Sequence, residues 1–230
     1  MWLSVDPLAE DFPGWNPYHY VHNNPINLVD PTGMAAEWVP GTDGNAISYT
    51  VNAKGVAVWS SNTPTEYIKL GNTMLQTVKG KSQLDKALLS PDVKVDTFIH
   101  KGRKEGESGI FGKSTFGFAT PLSVDDIDNP TKVTSGRIDL YPKAYEDILE
   151  NEYGSFVKFN YGEETFFPSE FSVYENLSTT YGHEIEHLFD SNSSSHLNKL
   201  QGKVSDPEVQ PNKVSQETFQ QLKENKNNQK

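Results

Sequence analysis

Cysteine is absent from the 230 residues, which excludes disulfide bonds and thiolate metal ligands. Any metal site must therefore be built from imidazole and carboxylate groups. Positive charge is scarce: 20 Lys and Arg stand against 31 Asp and Glu, a formal charge of −11. No phosphate-neutralising surface is evident, so nucleic-acid binding is not expected. The basic cluster Lys101-Gly102-Arg103-Lys104 is followed by Glu105 and Glu107 and reads as a solvated loop. No apolar run of about 18 residues occurs, so no membrane span is expected. Met1-Trp2-Leu3-Ser4-Val5-Asp6 lacks the charged and apolar regions of a secretory signal, so export is expected to use signals on a longer parent. Gly109-Ile110-Phe111-Gly112-Lys113-Ser114 is too short for the G-x-x-x-x-G-K-S spacing of a phosphate loop.

The residue pattern that carries chemistry is His183-Glu184-Ile185-Glu186-His187, an H-E-x-x-H sequence. On a helix, residues four apart share a face, so His183 and His187 can present ring nitrogens to one metal ion. Glu184 adjoins the first of them, where its carboxylate can take a proton from water activated by the metal. A helix is expected around them. Ser172-Val173-Tyr174-Glu175 has capping-box spacing, and Leu177, Tyr181, Ile185 and Leu188 form an apolar stripe. The histidines fall on the flank of that stripe, at the edge of a cleft. Glu186 points away and is expected to be a solvated carboxylate.

Such a site needs a third protein ligand. The H-E-x-x-H-x-x-G-x-x-H pattern fails, because Asp190 and Ser193 occupy its last two positions. Glu217 is favoured, in a helix-compatible run after Pro211 with Val214, Phe219 and Leu222 available for docking. Glu208, His196 and Asp190 remain open alternatives.

The motif, its helix and a downstream carboxylate resemble the gluzincin type of zincin metallopeptidase. The run from Glu217 to Asn225 also resembles the E-x-x-A-x-x-x-E-N endings of small zincin-type bacterial toxin domains, with Phe219-Gln220 a departure in that Gln220 stands where the pattern has its small residue. The resemblance covers about a quarter of the chain. It implies an α+β zincin-like fold, Zn2+ held by His183, His187 and Glu217, Glu184 as the catalytic base, and hydrolysis of peptide bonds. Tyr174 and Tyr181 are candidate donors to the oxyanion.

A second resemblance lies at the other end. Asn16-Pro17-Tyr18-His19-Tyr20-Val21-His22-Asn23-Asn24-Pro25-Ile26-Asn27, continuing to Asp30-Pro31-Thr32-Gly33, is dense in turn formers and tyrosines. It resembles the end of the core domain of Rhs/YD-repeat proteins, with Asp6-Pro7-Leu8-Ala9 standing where that family has an earlier D-P-x-G. The resemblance implies self-cleavage at Gly33-Met34 or Met34-Ala35 and release of a C-terminal toxin. It also implies a parent Rhs shell, a cognate immunity protein, a protein substrate in a target cell, and delivery as part of a larger secreted bacterial toxin.

The domain map expected from both ends is a tail of the Rhs core at 1–34, a metallopeptidase domain at 35–222 and a polar tail at 223–230. Between the ends, the segments 46–51 and 56–59 read as a hairpin around Asn52-Ala53-Lys54-Gly55. Residues 64–78 have helical apolar spacing, and 83–89 reads as a short helix ended by Pro91. Residues 93–99 alternate as a half-buried strand, with His100 a polar residue at its end. Residues 111–118 read as a glycine-rich strand pair and 137–141 as a strand. In zincins the edge strand of the sheet pairs with the substrate backbone, and Arg137-Ile138-Asp139-Leu140-Tyr141 is the expected edge.

Overall fold

A computed structural model describes residues 41–43, 45–107, 114–151, 155–203 and 206–228. The Rhs-like segment, its cleavage junction and the 109–113 part of the glycine-rich run lie outside the described residues. The chain divides into two compact units, residues 1–64 and 65–230.

In the first unit, β1 (Tyr49–Val51) and β2 (Ala57–Trp59) form the expected antiparallel hairpin. Its turn is built by Asn52, whose side-chain oxygen accepts from the Lys54 amide at 2.9 Å and the Val56 amide at 3.1 Å. Gly55 supplies the left-handed residue at φ 76°.

The second unit is α+β. Its elements run α1 (Thr65–Met74), α2 (Val78–Leu89), β3 (Lys94–Ile99), β4 (Gly117–Val124), β5 (Val133–Leu140), α3 (Pro142–Glu150), β6 (Phe159–Tyr161), β7 (Glu164–Phe166), α4 (Val173–Phe189), α5 (Ser195–Leu200) and α6 (Val209–Asn228). The apolar run expected as one helix over 64–78 breaks before Val78. There Thr77 caps α2 by accepting from the Gly80 amide at 2.9 Å, which brings the start of the second helix forward to 78. No helix among the described residues is long and apolar enough to cross a membrane.

Strands β3, β5 and β4 form a mixed sheet in that order, β3 parallel and β4 antiparallel to β5. The strand expected at the edge, 137–141, is therefore the centre of the sheet, paired on both sides. Its polar face is not a solvent face: Arg137 donates twice to Asp139, at 2.8 and 2.6 Å, and His100 pairs with the same carboxylate at 2.6 Å. The outer strands are β3 and β4, and Pro121 sits on β4 beside a register irregularity, as an edge position tolerates.

The opposite face of β5 carries Ile138 and Leu140, both fully buried, and α4 lies across it. The expected stripe of Leu177, Tyr181, Ile185 and Leu188 is buried. The capping box forms as well: the Ser172 hydroxyl accepts from the Glu175 amide at 3.2 Å, and the Glu175 carboxylate accepts from the Ser172 amide at 2.7 Å. Gly136 on β5 lets α4 come this close, since a Cβ there would stand 2.4 Å from Leu188 Cδ2. Gly136→Ala is expected to destabilise the protein by about 1–3 kcal/mol through overpacking, read as a lower denaturant midpoint with unchanged slope.

On its other side α4 receives α6, and Gly182 lies where a Cβ would be 3.3 Å from Val214. Val214, Phe219 and Leu222 are buried, as expected of the docking face. Helix α6 also runs through the expected polar tail to Asn228. Lys226 pairs with Glu175 at 2.9 Å and Asn225 donates to the Gln76 carbonyl at 2.7 Å, which holds the last turns down.

Candidate metal centre

Helix α4 brings His183 and His187 together one turn apart, with their Nε2 atoms 3.1 Å from each other. Glu208 closes the group: one of its carboxylate oxygens lies 3.1 Å from His183 Nε2 and the other 3.6 Å from His187 Nε2. A tetrahedral ion with bonds of about 2.0–2.1 Å needs its ligand atoms about 3.3 Å apart. The three separations bracket that figure. His183, His187 and Glu208 form the group of metal-ligating type found among the described residues.

The far sides of the imidazoles support the same reading. His187 Nδ1 is 2.7 Å from the Ser193 carbonyl, which can only accept, so Nδ1 carries the proton and the neutral ring has its lone pair on Nε2. His183 Nδ1 is 3.2 Å from the hydroxyl of Ser215 on α6. Two imidazole Nε2 atoms thus converge with a carboxylate, an arrangement suited to a cation held between them. The donor set is imidazole and carboxylate, which suits zinc among several divalent ions.

Glu208 immediately precedes α6, and its carbonyl accepts the Asn212 amide at 2.9 Å as the helix begins. The side chain is half-exposed, and its hydrogen bond with His183 holds the carboxyl below its ordinary range. The favoured third ligand was Glu217, and the structure does not bring it into the group. Ser215 occupies the position of α6 that faces His183, and two residues on the helix has turned by about 200°. Glu217 instead meets Lys79 of α2 at 2.5 Å. Asp190 accepts a hydrogen bond from Ser193 at 2.5 Å. His196 lies on α5, and its side chain is outside the described set.

Glu184 is buried, at 8% exposure, on the side of α4 that faces the sheet. Burial pushes its carboxyl up, while His183, His187 and a hydrogen bond from the Ala119 amide of β4 draw it back. Glu186 accepts from Gln83 at 2.9 Å and Lys86 at 2.6 Å, and is bound to α2 rather than left to solvent.

Neither candidate oxyanion donor is at the site. Tyr181 is fully buried and shares hydrogen bonds with Tyr67 at 3.0 Å and Thr97 at 2.6 Å. Tyr174 donates to Glu66. The tyrosine that does approach is Tyr161 of β6, within electrostatic reach of Glu184 and Glu208, its phenol pushed up to about 12 chiefly by burial. Ser215 stands beside apolar Val214 in the sequence and is only 1% exposed, a buried polar residue on a docking face. That placement was its available signal.

Comparison with protein-family models, curated proteins and solved structures finds no match to this chain.

Proposed function

We propose that residues 65–228 form a zinc-dependent endopeptidase of zincin type, and that the chain is the toxin end of an Rhs-type polymorphic toxin. The observation that carries the enzymatic reading is the convergence of His183, His187 and Glu208 with a buried carboxylate, Glu184, on the same helix. Zinc in such a site supplies Lewis acidity and lowers the cost of forming hydroxide near neutral pH. Glu184 accepts the proton of the attacking water and returns it to the leaving amine as the C–N bond breaks. Its raised affinity for protons suits both halves of that transfer. The Ala119 amide holds the carboxylate in place.

The substrate backbone is assigned to β4 rather than to 137–141. β4 is an outer strand whose unpaired edge can take an extended peptide, and it packs against α4, which carries the histidines. Pro121 has no amide to leave unpaired on that strand. The toxin assignment rests on the Rhs-like residues 16–34, and with it come a target-cell protein substrate and a cognate immunity protein.

The test is cleavage of a peptide library by the zinc-loaded chain, with Glu184→Gln as the control. Cleavage that needs both zinc and Glu184 supports the reading. Zinc binding without cleavage of any peptide or of target-cell extract would replace the enzyme with an inert metal-bearing binding module.

A further inference from the structure

Helix α4 ends two residues after His187, and the chain turns there with its polar groups paired. Asp190 caps the end, its amide donating to the Glu186 carbonyl at 2.9 Å. The Asp190 carbonyl then accepts the Ser193 amide at 3.0 Å, which closes a four-residue turn. The Asp190 carboxylate accepts the Ser193 hydroxyl at 2.5 Å. Ser193 is thus tied to Asp190 at two points, and it is buried. Helix α5 braces the same turn, because buried Asn198 donates from Nδ2 to the Asn192 carbonyl at 2.7 Å. With its amide and hydroxyl both given to Asp190, Ser193 presents its carbonyl to His187 Nδ1 at 2.7 Å.

We propose that Asp190 is a positioning residue which, through Ser193, fixes the ring of His187 at the angle that metal binding needs. The proposal rests on the metal-centre reading above. An imidazole side chain turns about two bonds, and a wrong rotamer carries Nε2 away from His183 and Glu208. A hydrogen bond at Nδ1 removes that freedom, but only where the acceptor itself is held. In an open loop the Ser193 carbonyl would be a loose acceptor. Asp190 makes it part of a closed turn fastened to the end of the metal helix, so ring and acceptor move as one body. His183 is held separately, by the Ser215 hydroxyl of α6 at 3.2 Å. The effect of Asp190 therefore falls on one ligand of the three. A carboxylate outside the ligand group acts on the ion without touching it.

The experiment uses the full chain, with zinc titrated against a competing chelator and, in the metal-free protein, NMR contacts between the His187 ring and Ser193. Asp190→Ala is expected to lower zinc affinity about 10-fold and to lose the ring contacts. Asp190→Asn keeps an acceptor oxygen for the Ser193 hydroxyl and is expected to bind zinc nearly as wild type does. A carboxylate that ligated the ion directly would lose as much in the Asn variant as in the Ala variant. Ser193→Ala is expected to match Asp190→Ala, and the double variant to lose little more, since both cut one link. Should Asp190→Ala fail to fold, Ser193→Ala tests the same link. Unchanged affinity and ring contacts in the variant that folds, equal losses in Asp190→Asn and Asp190→Ala, or additive losses in the double variant overturn the proposal. If the wild type binds no zinc, the metal reading is overturned, and the ring contacts in the metal-free chain still decide whether Asp190 holds His187.

Discussion

Replacing Glu184 by glutamine is expected to lower peptide turnover by about 10²–10⁴-fold while leaving zinc content unchanged. Glutamine keeps the size of the side chain and a carbonyl oxygen to accept the Ala119 amide, so β4 and α4 should stay in register. It cannot take a proton from water. The loss should therefore lie in kcat, with little change in KM. Burial raises the Glu184 carboxyl, so relieving that cost in the neutral amide is expected to leave stability equal or higher. A Glu184→Gln protein that turned over at the wild-type rate would remove this residue from the chemistry.

The second large effect concerns the third ligand. Glu208→Ala should weaken zinc by more than the roughly 10–100-fold that removal of an outer-shell partner costs, because a carboxylate within 3.1 Å of His183 Nε2 is lost. Glu217→Ala should leave zinc affinity alone. It breaks only a partly exposed pair with Lys79, worth about 1 kcal/mol at most. Zinc titration of the two variants side by side separates them. The reverse ranking would place Glu217 at the metal and contradict the arrangement of α6.

The contrast between Glu208 and Glu217 shows where sequence reasoning reached and where it stopped. The helix of His183 and His187 was legible because its signals are local: a capping box at Ser172 and Glu175, and a stripe with helical period. The docking face of α6 was legible for the same reason, through Val214, Phe219 and Leu222. Which carboxylate meets the histidines depends on how α6 is rotated against α4 and on where it starts. The helix starts upstream of Pro211, which the first turn of a helix tolerates, and so Glu208 abuts it. Close packing at Gly182 fixes the rotation, a non-local contact with no imprint on the α6 sequence.

Strand β5 failed for a related reason. It was the expected edge, and its polar Arg137 and Asp139 alternate with Ile138 and Leu140, yet the two bond each other and Asp139 pairs with His100 at the centre of the sheet. The outer strand β4 holds Pro121 and follows a glycine-rich run, which blurred its alternation. Ser215 was illegible because its meaning is a hydrogen bond to His183 between elements far apart in sequence.

Metal content decides the central claim most directly. Elemental analysis of protein purified without chelator, after equilibration with zinc and removal of unbound ion, is expected to give about one zinc per chain. His187→Ala should abolish it, since one of three ligands and the Ser193 anchor are lost together. A wild-type chain without zinc, or a His187→Ala chain that keeps it, would contradict the metal centre.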